Sequence, residues 1–263
     1  MVYKKSLLCI KIVPLMHKPT YSPIEWRTHQ NALPQPYSSS FKDVYFSTDN
    51  GLLETDYVFL QGNKLALRWQ QLPQTSFTII ETGFGTGLNF LCAAKLWLSV
   101  APQNARLLFI STEKYPLSVE DITKALQMWP QLQDLIPAFL AQYEHALTNQ
   151  TVSVQLFNNR LQLTLLFGDA IESLQTISNP ADAWFLDGFS PAKNPDMWRA
   201  DLYTQMARLS TATSTFATFT SAGNVRRGLQ AAGFNVVKQA GFGKKREMLS
   251  GHFAVKSIDG QSK

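Results

Sequence analysis

Glu81-Thr82-Gly83-Phe84-Gly85-Thr86-Gly87-Leu88-Asn89 follows directly on the apolar run Phe77–Ile80, so a short strand delivers a carboxylate and then three glycines alternating with larger residues. Alternating glycines let the backbone bend sharply and approach a ligand closely, and a helix opening near Gly87 points unpaired N–H groups at that ligand. Dinucleotide-binding turns space their glycines G-x-G-x-x-G around a pyrophosphate. Here the third glycine comes one residue sooner and Glu81 closes the strand, which suits a ligand carrying ammonium and sulfonium charge rather than phosphate. The residues point to S-adenosylmethionine as cofactor, with a purely structural strand-to-helix turn as the alternative for the motif taken alone.

Outward from this turn the chain alternates strand and helix. Arg106–Thr112 is a second apolar strand ending at Glu113, and Ser118 is placed to cap a helix, with Glu120 and Asp121 favourable in its first turn. A helical region follows over 130–143. Residues 152–157 and 161–167 form a hairpin through Asn158-Asn159-Arg160, its second arm ending in Gly168-Asp169. Ala183–Leu186 is a short buried strand ending at Asp187; helices are expected over 196–209 and 224–232, and strands over 215–219, 234–238 and 248–255. The predicted fold is α/β, Rossmann-like, a mostly parallel sheet with helices on both faces. Residues 73–255 form that domain. Residues 21–72 form a small β or irregular cap, with extended pieces at Val44-Tyr45-Phe46 and Tyr57-Val58-Phe59 and a helix over 63–71. Residues 1–20 read as a loose extension and 256–263 as a tail.

Parallel sheets bind ligands beyond the carboxyl ends of their strands. Four acids stand at such ends: Glu81, Glu113, Asp169 and Asp187. One such acid is ordinarily a loop or cap residue; four on successive strands are better explained by a shared polar ligand. Glu81 is expected under the methionine portion of the cofactor, Glu113 as acceptor for both ribose hydroxyls, and Asp169 as acceptor for the adenine amino group. Gly83, Phe84, Gly85, Gly87, Asn89, Lys114 and Ala170 complete the expected cofactor site, with apolar packing the alternative role for Phe84 and for Tyr115. Asp187 opens the loop Asp187-Gly188-Phe189-Ser190-Pro191, where the methyl acceptor is expected.

The chain has 263 residues and is 45% hydrophobic, enough for one large domain with an appended subdomain. No apolar run is long enough to span a bilayer. Cys9 and Cys92 lie far apart and suggest neither a disulfide framework nor a zinc site, so a reducing cytoplasm is the expected compartment. Lys4 and Lys5 before Leu7-Leu8-Cys9-Ile10 imitate a secretory signal, but Lys11 interrupts the apolar stretch. The net charge of +5 is local: residues 19–225 hold 12 basic and 17 acidic side chains, whereas 226–247 hold six basic residues against Glu247 alone. Arg226, Arg227, Lys238, Lys244, Lys245 and Arg246 can form a phosphate-binding surface, or be ordinary solvated charge.

The stretch Trp184-Phe185-Leu186-Asp187-Gly188-Phe189-Ser190-Pro191-Ala192-Lys193-Asn194-Pro195-Asp196-Met197-Trp198 mixes acid, glycine, prolines and aromatics in an unusual order. With it the chain resembles the methyltransferase part of the MnmC family, bacterial enzymes that complete 5-methylaminomethyl-2-thiouridine at the tRNA wobble position. The resemblance runs from about Trp26 to Leu249, through 81–91, 182–198, 218–233 and 241–249; Ser190 stands where that pattern has alanine. It implies a class I S-adenosylmethionine-dependent methyltransferase acting on the primary amine of 5-aminomethyl-2-thiouridine in a tRNA anticodon stem-loop, without a metal. In such enzymes a FAD-dependent oxidase is fused to this part; the chain has no second G-x-G-x-x-G turn, so that domain and FAD are not expected in it. Asp187 is then the candidate to position the amine and accept its proton, with a loop-fixing aspartate as the alternative. Phe189 and Pro191 are candidate acceptor contacts, and Arg226, Arg227, Lys244, Lys245 and Arg246 candidate phosphate contacts. Rival readings are an NAD-dependent oxidoreductase, which needs wider glycine spacing and a proton relay; a non-catalytic tRNA-binding module; and a methyltransferase for a small molecule or protein.

Overall fold

The computed structural model of the chain describes residues 20–21, 23–28, 34–47, 50–149 and 153–254. The expected N-terminal extension, Thr20 apart, and the C-terminal tail lie outside the described residues, as does Cys9.

Strands β1 (Ile24–Arg27), β2 (Gln35–Ser38) and β3 (Asp43–Val44) pair antiparallel in that order as a small sheet. Helix α1 (Gly51–Thr55), capped by the Asn50 side chain accepting from Leu53 N, passes into a π-helical turn, Asp56–Gln61, and then α2 (Leu65–Gln70). Next come β4 (Ser76–Thr82), α3 (Leu88–Val100), β5 (Arg106–Glu113), α4 (Val119–Leu126) and α5 (Ile136–Asn149). They are followed by β6 (Ser153–Leu156), β7 (Leu161–Phe167), α6 (Ala170–Gln175), β8 (Ala181–Leu186) and α7 (Ala200–Arg208). The chain closes with β9 (Ser210–Thr218), α8 (Gly223–Ala231), β10 (Phe234–Ala240) and β11 (Glu247–Phe253).

The main sheet has the order β10-β11-β9-β8-β4-β5-β7-β6. Its central five strands, β9 to β7, are parallel, while β6 and β11 run antiparallel to their neighbours. From β4 the chain moves outward through β5 to β7, then returns to the other side of β4 for β8 and β9. That reversal opens a crevice at the carboxyl end of β4, where such sheets bind ligands. Both faces are covered, so β4 is apolar on both sides. Phe77 and Ile79 join a core with Trp69 of α2, Phe90 of α3, Ile122 of α4 and Phe139 of α5; Ile80 joins another with Leu174 of α6, Leu202 of α7 and Leu229 of α8.

The expected α/β architecture with helices on both faces is present, and Ser118 caps α4 by accepting from Asp121 N. The hairpin turn between β6 and β7 holds Phe157, Asn158 and Asn159 at positive φ, a region asparagine enters more readily than most residues. Three expectations need correction. Tyr57–Phe59 is not extended but lies in the π-helical turn, where burial of Val58, Phe59 and Leu60 against the sheet overrides a β-branched and aromatic local preference. In the 44–46 piece only Val44 is strand; Phe46 turns inward edge-on to Trp129, centroids 5.5 Å apart. The helix expected from Asp196 begins at Ala200, because the preceding residues anchor a loop: Trp198 is buried and its indole N–H donates to Phe189 O at 2.9 Å.

Candidate active site

The carboxyl ends of β4, β5, β7 and β8 open into one cavity of about 500 Å³, within the range of small-ligand sites. Its floor is the glycine turn. Gly83, Gly85 and Gly87 have φ of +78°, +55° and +76°, so all three lie in the left-handed region. At Gly83 a Cβ would stand 2.9 Å from Gly188 Cα, and this close approach brings the β4 and β8 loops together; at Gly87 it would meet Phe139 Cζ at 2.9 Å. Gly83 N and Phe84 N both donate to Thr112 O, tying the turn to β5.

Three of the four expected acids line this cavity: Glu113, Asp169 and Asp187. Glu113 accepts from Gly85 N through Oε2 and from Tyr115 N through Oε1, both at 2.9 Å. Burial raises its pKa from the usual carboxylate value, and these N–H groups oppose the shift. Asp169 caps α6 by accepting from Ile171 N, and stands 3.4 Å from Arg199 Nη2 and 3.6 Å from Lys114 Nζ. Asp187 is pushed up to about 7 by burial, against the opposing pull of Gly188 N–H and Asn89; Glu54 adds to the rise and Lys245 counters it.

Glu81 departs from the expectation of a direct ligand contact. It is 0% exposed and lies behind the cavity wall, accepting from Ser111 Oγ at 2.6 Å and Asn89 Nδ2 at 2.9 Å. Burial, with the charges of Asp187 and Glu113, raises its pKa well above the usual carboxylate value, against the hydrogen bonds from Ser111 and Asn89. Asn89 is likewise committed to protein partners: Nδ2 donates to Glu81 and, at 2.6 Å, to Asp187 Oδ2, and Oδ1 accepts from Thr55 Oγ1 at 2.7 Å. The Phe84 ring turns into the core against Phe139 and Tyr143, at centroid distances of 6.0 and 6.1 Å, so the residue offers the cavity mainly backbone.

The acceptor-side residues divide. Phe189 lines the cavity, stacked on Phe41 at 4.5 Å and edge-on to Tyr45 at 5.2 Å. Pro191 is buried and lies outside the cavity lining. Lys244 and Lys245 line the rim, and Lys245 Nζ meets Glu54 Oε1 at 2.7 Å above the Phe219 ring. Arg246 lies on the adjoining groove with Ser221 and Glu247. Arg226 and Arg227 sit on α8, away from the cavity lining. Sequence reading missed the cap's contribution. Besides Phe41 and Tyr45, Asp43 clamps the acceptor loop, its Oδ1 accepting from Lys193 Nζ at 2.9 Å and its Oδ2 from Ser190 N at 3.3 Å. The one available signal was the aromatic density of residues 37–46.

The wall chemistry fits a polar, partly apolar ligand. Thr112 Oγ1 is buried without a hydrogen-bond partner on a residue of the cavity wall, next in the chain to the Glu113 carboxyl that also lines it. Among the described residues no group of His, Cys, Asp and Glu is placed to hold a metal, and no helix is long and apolar enough to cross a membrane.

Residues 130–254 match the model of a family described as S-adenosyl-L-methionine-dependent methyltransferase. Among curated proteins, the tRNA 5-methylaminomethyl-2-thiouridine biosynthesis bifunctional protein MnmC of Methylobacillus flagellatus is 52% identical over 240 residues, 91% of this chain and 36% of that protein. The MnmC of Ectopseudomonas mendocina is 51% identical over 231 residues, 88% of this chain and 34% of that protein. The chain thus spans about a third of the length of these relatives. A crystal structure of MNMC2 from Aquifex aeolicus shares the fold, with a TM-score of 0.69 at 23% identity over 90% of this chain and 73% of that one. Fold, family match and curated relatives point the same way: residues 130–254 are similar to a family of S-adenosyl-L-methionine-dependent methyltransferases, and nine-tenths of the chain is similar to about a third of the MnmC proteins.

Proposed function

We propose that the chain methylates the primary amine of 5-aminomethyl-2-thiouridine at the tRNA wobble position, giving 5-methylaminomethyl-2-thiouridine. The observation that carries this reading is the placement of Asp187 in one cavity with the glycine turn and Glu113, in a chain half identical to MnmC proteins over that region. In the proposed division of labour, residues 73–255 supply the catalytic domain and 21–72 the cap that walls its acceptor side.

Bound on the glycine turn, S-adenosylmethionine supplies an electrophilic methyl group on a positive sulfur. Glu113, with Thr112 beside it, would hold the ribose hydroxyls, and Asp169 and Ala170 the adenine edge, with Lys114 at the rim. An alkylammonium has no lone pair with which to attack. Asp187 would accept its proton and align the freed amine for an in-line approach, and such alignment supplies a large share of the acceleration. An ionised Asp187 also favours a cationic acceptor over a neutral one.

Phe189 is the platform for the nucleobase, in the manner by which single-stranded RNA bases stack on exposed aromatics. Lys244 and Arg246 would grip flanking phosphates, Arg226 and Arg227 more distant ones. Lys245, committed to Glu54, would shape the entrance instead.

Two expected outcomes follow from these roles. Glu113→Gln puts an amide N–H opposite a backbone N–H and weakens S-adenosylmethionine binding about tenfold by calorimetry, with a smaller effect on acceptor affinity. Lys244→Gln with Arg246→Gln lowers tRNA affinity and flattens the plot of log affinity against log salt by roughly 1.4–1.8, leaving cofactor affinity unchanged.

The reading is tested by incubating the protein with methyl-labelled S-adenosylmethionine and tRNA carrying either 5-aminomethyl-2-thiouridine or unmodified uridine. Label should enter only the first. Label in protein or small molecules but in neither tRNA would move the acceptor elsewhere.

A further inference from the structure

Asn89 stands in the first turn of α3, 6% exposed, and every donor of its amide is used. One N–H goes to Glu81 Oε1 at 2.9 Å and the other to Asp187 Oδ2 at 2.6 Å. Its carbonyl accepts from the hydroxyl of Thr55, itself buried at the end of α1. Chemistry dictates this orientation. An ionised Asp187 requires a donor and the Thr55 hydroxyl supplies one, so the flipped amide would turn its oxygen towards the Asp187 carboxylate and its N–H groups towards a hydroxyl. Thr55 lies where α1 passes into the π-helical turn, a geometry often found beside functional sites.

We propose that Thr55 and Asn89 are positioning residues for Asp187: Thr55 fixes the Asn89 amide, and the amide pins one Asp187 oxygen in the wall and so sets where the other points. This rests on the reading of Asp187 as the proton acceptor. Asn89, first expected among the cofactor ligands, acts through Asp187 instead. Glu81 completes the device from behind, tied by Ser111 Oγ and bridged to Asp187 by the same amide. A cap residue, Thr55, thereby reaches a carboxylate on the β8 loop, so cap placement and base geometry are joined.

The ionisable groups around Asp187 are Glu81 from β4, Glu54 from α1 and Lys245 from the loop between β10 and β11. Burial is what raises Asp187, Glu54 adds to the rise, and the Asn89 N–H works with Gly188 N–H and Lys245 to favour its ionised form. When the amide is no longer held, Asp187 takes up its proton at a higher pH.

The test compares Thr55→Val, which removes the hydroxyl at nearly constant shape, with Thr55→Ser, which restores it. Both are measured for kcat, cofactor Kd and the acid limb of kcat/KM. Thr55→Val should lower kcat about tenfold and move the acid limb upward, with a much smaller change in cofactor Kd, while Thr55→Ser returns towards the parent values. Asn89→Asp, which places a third carboxyl between the two, should move the limb in the same direction, giving a second readout if Thr55→Val folds poorly. An unmoved limb in folded Thr55→Val, or equal impairment in the Val and Ser variants, overturns the inference. Asp187→Asn separates the two levels. If it keeps the acid limb, the reading of Asp187 fails; if it loses the limb while Thr55→Val keeps it, only the positioning role fails.

Discussion

Asp187→Asn is expected to lower kcat by roughly 10²–10⁴-fold, the range for loss of a general base, while cofactor affinity changes little. The substitution keeps an oxygen that can accept from Asn89 Nδ2, so the loop should stay in place and the loss can be assigned to basicity. Under the proposed function the parent protein should show kcat/KM falling about tenfold per pH unit below an acid limb near 7, the value to which burial raises Asp187. In Asp187→Asn that limb should vanish.

The same residue makes a stability prediction of opposite sign. Its pKa rises from an ordinary value of 3.8 to about 7 on folding, so the folded state binds the proton more tightly than the unfolded chain. Stability from this group is present at acid pH and is lost as pH rises through 7. Asp187→Asn should therefore melt at a higher temperature than the parent at pH 8, with the difference shrinking as pH falls towards 4. A variant inactive yet more stable at alkaline pH would show a carboxylate kept for chemistry against the interest of the fold.

Gly83→Ala is the second large effect. Left-handed backbone costs an L residue about 1–2 kcal/mol, and a Cβ there would stand 2.9 Å from Gly188 Cα, backbone against backbone. Relief requires separating the glycine turn from the Asp187 loop, so strain and clash together should cost roughly 2–4 kcal/mol. Cofactor binding and turnover should both collapse. Gly85→Ala provides the comparison. Its φ is also positive, but its Cβ would meet only Tyr45 Cδ1 at 3.5 Å, an ordinary contact. Thermal melting and cofactor titration of the pair should therefore place Gly83→Ala well below Gly85→Ala. Equal losses would mean that backbone conformation alone, and not the approach of the two loops, governs the site.

Much of this site is legible in the sequence because its parts are local. The glycine turn is one continuous run, and Glu113, Asp169 and Asp187 are each announced by an apolar strand that stops at them. What is not legible is depth. Glu81 reads like the other three acids, yet it points into the sheet layer between Ser111 and Asn89, because facing direction depends on strand register that one residue pattern does not fix. The cap is hidden for a similar reason. Thr55, Glu54, Phe41 and Asp43 reach the site from a segment whose placement is set by long-range contacts, such as Asp43 to Lys193 and Phe41 to Phe189. Arg226 and Arg227 look like neighbours of Lys244 on charge alone, but α8 carries them away from the cavity lining.

The central claim is methyl transfer to one amine on one nucleoside, and mass spectrometry of nucleosides reads it directly. tRNA bearing 5-aminomethyl-2-thiouridine is incubated with the protein, with and without S-adenosylmethionine, then digested and analysed. The expected result is a cofactor-dependent conversion of that nucleoside to a product heavier by a single methyl group, absent with Asp187→Asn. An unchanged 5-aminomethyl-2-thiouridine in the presence of protein that demonstrably binds S-adenosylmethionine would contradict the proposed acceptor while leaving the fold and cofactor site standing.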